Sequence, residues 1–319
     1  MKLWLDVDAG VDDAQGMMIA FVHPGVEIVG ISCVCGNVDV DQVARNVARI
    51  LTLCGREDIP FYVGAREPLV MDHVDASHFH GKDGMGDRPN QSPGCASITL
   101  QPRSGHGAVV MAEKAKEMPG EITVVAVGPL TNLAMAYKLD HTFPLSIKKL
   151  VVMGGAIEAQ GNHSAVSEFN FGCDPEAACV VMQKFSRPDS LVNLVCWEMT
   201  LKHGVPFEFF DKMSLMETRK ARFMCAVLEQ SITWMKDEKQ HHEKGWIACD
   251  PLAVAAAVDA SMVLETEDVY CQIELAGNVT RGMSVLDRTH LLKSGKNVRL
   301  ITKMDVPRFM DMLLTSVRD

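Results

Sequence analysis

The chain has 319 residues, 47% hydrophobic and 23% charged, which is enough apolar material for a full globular core. Its formal net charge of -10 argues against a nucleic-acid groove or an anionic membrane surface as a partner, since both repel an acidic protein. No apolar run reaches the ~20 residues that span a bilayer, and the ten cysteines form no CxxC pair, so a reducing, cytoplasmic compartment is expected rather than a disulfide framework.

The chain opens on an apolar strand, Lys2-Leu3-Trp4-Leu5, so no cleaved leader is expected. Asp6 and Asp8 follow at its end on one face, because strand side chains repeat every two residues. Gly10 permits a turn, and Asp12 and Asp13 then open a helix whose macrodipole favours their charge. Val26 to Val34 reads as a buried strand followed by Gly36-Asn37, and residues 41–54 as a helix. A short strand at 60–64 leads into a polar stretch, 71–104, read as a long loop of the kind that is often functional. A helix over 106–117 precedes the continuous apolar strand 122–127, which is closed by Gly128-Pro129-Leu130-Thr131-Asn132. Further strands are expected at 149–153, ending on Gly154-Gly155, and at 191–196, with a helix over 174–184 between them. Residues 204–245 read as a helix-rich, methionine-rich insertion.

Buried strands alternating with helices predict an α/β fold: one domain over 1–319, with an open, mostly parallel, Rossmann-like sheet flanked by helices. In such sheets ligands bind beyond the carboxyl ends of the strands. The polar punctuation at Asp6 and Asp8, Asn37, Gly128 and Gly154-Gly155 falls there repeatedly, so these loops should meet at one site.

Four carboxylates in eight residues at one strand–turn–helix junction repel each other unless a cation sits among them. All-oxygen ligation points to a hard ion, Ca²⁺ or Mg²⁺. His78-x-His80 lacks the second His or Cys pair that a zinc site needs.

With those residues placed, the chain resembles the nucleoside hydrolases of the inosine-uridine preferring type, over essentially its whole length. The motifs that carry the likeness are Asp6-Val7-Asp8-Ala9-Gly10-Val11-Asp12-Asp13, Gly36-Asn37, His80-Gly81-Lys82-Asp83-Gly84-Met85-Gly86 and Gly128-Pro129-Leu130-Thr131-Asn132. Met153-Gly154-Gly155, Gly161-Asn162, Glu168-Phe169-Asn170, Asp174-Pro175-Glu176, Asp250-Pro251-Leu252-Ala253 and Thr280-Arg281-Gly282 complete them. Each is weak alone; their joint order is specific.

The resemblance implies hydrolysis of the N-glycosidic bond of ribonucleosides to ribose and free base. It implies Ca²⁺ held by Asp8, Asp13, Asp250 and the backbone carbonyl of Val127, with Asp8 as general base on a calcium-bound water. Asp12 resembles the holder of the ribose 2′-hydroxyl, and Asn162, Glu168 and Asn170 the contacts to the 3′- and 5′-hydroxyls. Glu168 and Asn170 point the same way if that segment is extended. Asn37, His80 and Met153 join the expected substrate contacts, Phe169 and Trp246 are candidates to stack on the base, and Asp6 is a supporting carboxylate. A homo-oligomer, dimer or tetramer, is implied by the resemblance alone. The chemistry agrees, because an oxocarbenium-like transition state wants an activated water on one face and negative charge around the ring.

One position departs from the pattern. Many relatives carry a His before the Asp that corresponds to Asp250, placed to protonate the leaving base; here it is Cys249. Cys249 itself or His241 upstream could supply that proton. Two other readings stand: a catalytically weak nucleoside- or ribose-binding protein, and a phosphatase of the DxD type with Asp6 as nucleophile.

Overall fold

The computed structural model describes residues 1–88, 98–237 and 244–319. Its strands are β1 (Lys2–Val7), β2 (Glu27–Cys33), β3 (Phe61–Val63), β4 (Ile122–Ala126), β5 (Lys149–Met153), β6 (Val192–Val195), β7 (Val263–Val269), β8 (Cys271–Ile273), β9 (Ser284–Leu286) and β10 (Val298–Met304). Among the described residues they form an 8-stranded sheet in the order β3-β2-β1-β4-β5-β6-β10-β7, with β8 and β9 paired separately. All neighbours in the large sheet are parallel except β10 and β7. This is the open, mostly parallel α/β sheet that the sequence predicts.

The chain winds outward from β1 through β2 to β3, then returns to the other side of β1 for β4, β5 and β6. The switch point therefore lies between β1 and β4, where the carboxyl ends of both strands open a crevice. Asp6 sits there in register with Ser32 on β2 and Ala126 on β4.

Alternation along β1 divides the core. Leu3, Leu5 and Val7 join one apolar cluster with the helix Val11–Val22, and Trp4 joins the cluster on the opposite face. Gly16 lets the helix Cys249–Val258 lie close against Val11–Val22, since a Cβ there would sit 3.2 Å from Val254. That close approach brings Asp250 to Asp12 and Asp13. The edge strand β7 is guarded by charge: Glu265, Glu267 and Asp268 pair with Lys303, Arg288 and Arg299 at 2.9, 2.9 and 2.7 Å.

Two expectations change. The stretch 71–104 holds a short helix, Ser77–His80. The segment after Glu168 is also not extended: Phe169–Cys173 is a helix, and Glu168 is its N-cap, accepting from the backbone N–H groups of Asn170 and Phe171. The carboxylate out-competes the apolar neighbours that favour a strand, because it satisfies orphan N–H groups at the helix start.

Candidate active site

A cavity of 560 Å³ opens at the switch point. Its wall includes Asp12, Asn37, His80, Val127, Met153, Asn162, Glu168, Phe169, Asn170, Cys249 and Asp250. The loops that the sequence places at strand ends do meet there.

The floor is acidic. Asp13 accepts from the backbone N–H of Asp8 at 3.2 Å, from that of Gly10 at 2.8 Å and from the Asn37 amide at 3.3 Å. Asp8 Oδ2 accepts from the Asn37 backbone N–H at 2.9 Å. Only glycine fits at position 36, since a Cβ there would lie 2.2 Å from Asp8 Oδ2. Asp8 Oδ1 and Asp12 Oδ1 are buried without a hydrogen-bond partner. One carboxylate oxygen each from Asp12, Asp13 and Asp250 lie within 4.8 Å of one another. Two helix N-termini, at Val11 and Cys249, point their positive ends at this group.

Burial dominates the electrostatics. It pushes the Asp13 carboxyl up to about 7, with Asp12 adding repulsion. Asp8 and Asp250 are driven well above the carboxylate range, by burial first and by their acidic neighbours second. Such a cluster ionises fully only when positive charge is brought among it.

Asp6 stands apart from that cluster. Its Oδ1 accepts from the Ser32 hydroxyl and from the Asn132 amide (2.8 Å), and burial raises it to about 7. It ties β1 to β2 and to the helix Thr131–Leu139 beneath the site.

Polar groups from other loops form a second arc. Glu168 is 1% exposed and accepts three backbone N–H bonds, from Gly155 (2.7 Å), Asn170 (2.8 Å) and Phe171 (3.1 Å). Asn170 donates to the carbonyls of Val127 (2.8 Å) and Met153 (3.2 Å). One lone pair of the Val127 carbonyl is thereby used, and Asn170 Oδ1 is left as an acceptor. Asn162 Oδ1 accepts from the Phe169 N–H at 2.8 Å. His80 Nδ1 accepts from the Val11 N–H (3.2 Å) and lies 3.9 Å from Asp12; burial holds its imidazole below the ordinary range, so the neutral ring carries its proton on Nε2.

Cys249 lies on the wall with its thiol donating to Thr200 Oγ1 at 3.6 Å. Burial, then the charge of Asp12, push that thiol well up. His241 lies outside the described residues.

Trp246 is a correction. It is 1% exposed, stacks on Phe209 with ring centroids 6.4 Å apart, and its backbone bridges to Val205. The alternation after Lys244 turns Ile247 toward the cavity and Trp246 into the core. The aromatic wall combines Phe169 with rings that sequence reasoning missed: Trp197, Trp234 and Phe79. Phe79 meets Trp234 edge-on at 5.5 Å and His80 at 4.8 Å. Trp197 carried a usable signal, since it follows the carboxyl end of β6. Trp234 carried none, standing in a long helix whose other aromatic, Phe223, is core.

The profile of one family, inosine-uridine preferring nucleoside hydrolase, matches residues 3–311. The chain is 31% identical over 322 residues to the inosine-uridine preferring nucleoside hydrolase of Crithidia fasciculata, covering 99% of this chain and 97% of that protein. It is 32% identical over 289 residues to the probable uridine nucleosidase 2 of Arabidopsis thaliana, covering 89% and 85%. Among solved structures, a purine-preferring ribonucleoside hydrolase from Gardnerella vaginalis superposes with a TM-score of 0.89 at 28% identity, over 99% of this chain and 98% of that one. An inosine-guanosine nucleoside hydrolase does so with a TM-score of 0.88 at 32% identity, with the same coverage.

Proposed function

The chain belongs to the inosine-uridine preferring nucleoside hydrolase family and is a hydrolase of N-glycosyl bonds in ribonucleosides; we propose that it works through a divalent cation, Ca²⁺, and the carboxylate base Asp8. The observation that carries this reading is the packing of Asp12, Asp13 and Asp250 oxygens within 4.8 Å, beside the unpartnered Asp8 Oδ1. An all-oxygen donor set whose members repel each other fits a hard cation. Asp8, Asp13, Asp250 and the Val127 carbonyl would hold it, with Asp12 within reach. When bound, the cation would neutralise these carboxylates and acidify water.

The chain's own groups do the rest. Asp8 takes the proton from the attacking water. The remaining acidic lining favours positive charge developing on the ribose ring. Asp12 holds the 2′-hydroxyl. Asn170 accepts from a ribose hydroxyl through Oδ1, Asn162 donates through Nδ2 while its oxygen accepts from the Phe169 N–H, and Glu168 accepts on a lone pair left by its backbone donors. Asn37, His80 and Met153 close the ribose side. Phe169, with Trp197, Trp234 and Phe79, offers apolar faces to the base. The Cys249 thiol donates the proton to the departing base. Assembly as a dimer or tetramer and a cytoplasmic location belong to the same reading. Buried free thiols at Cys33, Cys35 and Cys196 suit a reducing compartment, and among the described residues no helix is long and apolar enough to cross a membrane.

The test is ribose release from a panel of purine and pyrimidine nucleosides, with and without chelator, in the parent chain and in Asp8→Ala. Chelator-sensitive release that vanishes in Asp8→Ala is expected. A chelator-insensitive rate, or a substantial rate in Asp8→Ala, refutes the mechanism. Nucleoside affinity without ribose release would favour the binding-only reading, and release of free phosphate from phosphomonoesters the phosphatase one.

A further inference from the structure

Ala9, between the two pairs of acidic residues, has a φ of +36°, a left-handed conformation that an alanine rarely adopts. Something must hold it there, because its φ sets the turn that carries the chain from Asp8 to Asp12 and Asp13. Asn46, in the middle of the helix Val40–Cys54, is fully buried and donates through Nδ2 to the Ala9 carbonyl at 3.0 Å. The same amide donates to the carbonyl of Asp83 at 2.8 Å. Its oxygen accepts from Gln42 Nε2 at 3.0 Å and from Arg49 Nη1 at 2.8 Å, so the orientation of the amide is over-determined. Asp83 belongs to the Gly-rich segment that starts at His80, the residue that accepts from the Val11 N–H and faces Asp12. Asn46 thus joins two active-site loops, residues 9–13 and 80–87, from a helix that contributes nothing to the cavity wall.

We propose that Asn46 is a positioning residue: by holding the strained Ala9 carbonyl and the Asp83 carbonyl on one amide, it preorganises the acidic loop for a divalent cation. The inference rests on the metal reading above. It makes Asn46 a determinant of cation affinity, through Ala9, with no contact to substrate. Partners that orient metal-binding groups typically change metal affinity by about 10- to 100-fold when removed.

The test uses Asn46→Asp and Asn46→Ala, with Gln42→Ala for comparison. Asn46→Asp keeps the size and the acceptor for Gln42 and Arg49 and loses the two N–H donations. Calcium binding to the chelator-stripped full chain is measured by calorimetry, alongside kcat and KM for ribose release across a calcium titration. Asn46→Asp should bind Ca²⁺ about 10-fold or more weakly, with kcat returning to within about threefold of the parent at saturating Ca²⁺. Recovery by added metal separates positioning from general loss of structure. Gln42→Ala, which leaves the Ala9 contact in place, should stay within about threefold throughout. If Asn46→Ala does not fold, the isosteric variant decides. Calcium affinity of Asn46→Asp equal to the parent's overturns the proposal. A parent that releases ribose yet binds no Ca²⁺ overturns the metal reading instead; Asn46 is then judged by kcat, and an unchanged kcat overturns its role.

Discussion

Glu168 offers a sharp test of how burial governs this site. Its side chain is 1% exposed, and burial raises it from an ordinary 4.5 to about 7, even though three backbone N–H groups donate to it. Between those two pH values the folded chain holds a proton that the unfolded chain has released. Stability therefore falls as pH rises through this window, and the full penalty persists above pH 7. At about 1.4 kcal/mol per pH unit the difference is worth up to about 3 kcal/mol. Glu168→Gln removes the titration. The three N–H groups donate to both carboxyl oxygens, and the amide NH2 cannot accept, so the variant should be the less stable chain at pH 4.5. From pH 4.5 to pH 8 the gap between the two chains should shift in the variant's favour by up to about 3 kcal/mol, or on the order of 5 °C in Tm, because only the parent carries this titration. Urea or thermal unfolding of both chains at the two pH values, in chelator, reads the difference. Other buried acids titrate in the same range, Asp13 among them, so it is the gap between parent and variant that counts. Activity should move the other way, with kcat/KM falling about 10-fold or more as a charged acceptor for a ribose hydroxyl is lost. Parallel pH profiles in parent and variant would refute the argument that desolvation dominates at Glu168.

Further outcomes follow from the same geometry. Asn170→Ala should raise KM and lower kcat for nucleosides, because it frees the Val127 and Met153 carbonyls and removes an acceptor that tightens on the transition state; an effect confined to KM would contradict this. Trp234→Ala should weaken nucleoside binding by about 1–3 kcal/mol, the range for a base on an aromatic face. Trp246→Ala should instead cost about 3–5 kcal/mol of stability while leaving KM near the parent value, since it empties a core position; the reverse pattern would restore Trp246 to the site. Cys249→Ala should slow inosine hydrolysis and spare a nitrophenyl riboside, whose leaving group needs no proton. Equal losses on both substrates would remove Cys249 from the leaving-group step.

Local pattern carried much of this protein. The apolar β1 and the Asp6–Asp13 run are legible because strand period, turn residue and helix start act over a few residues, and each leaves its mark in composition. The same holds for β4 and β5 with their glycine-closed ends, which point to a parallel sheet and to the edge at which ligands bind. The C-terminal strands escaped notice. Edge strand β7 is nearly half acidic, Glu265, Glu267 and Asp268, and it becomes a strand only because β10 lies beside it with basic partners. The segment at Glu168 differed for a related reason: its carboxylate caps the helix through the Asn170 and Phe171 N–H groups and is also held by the Gly155 N–H, 13 residues away.

The chain's own order of residues thus determined the α/β class, the acidic floor and the strand-end loops that hold Asn37 and Asn162. Tertiary structure alone decided that Trp234 and Phe79 line the cavity, that Trp246 turns inward, and that Asn46 braces Ala9. Those outcomes depend on contacts between residues tens of positions apart, whose energies are set by packing and burial, and neither is written in the neighbouring residues.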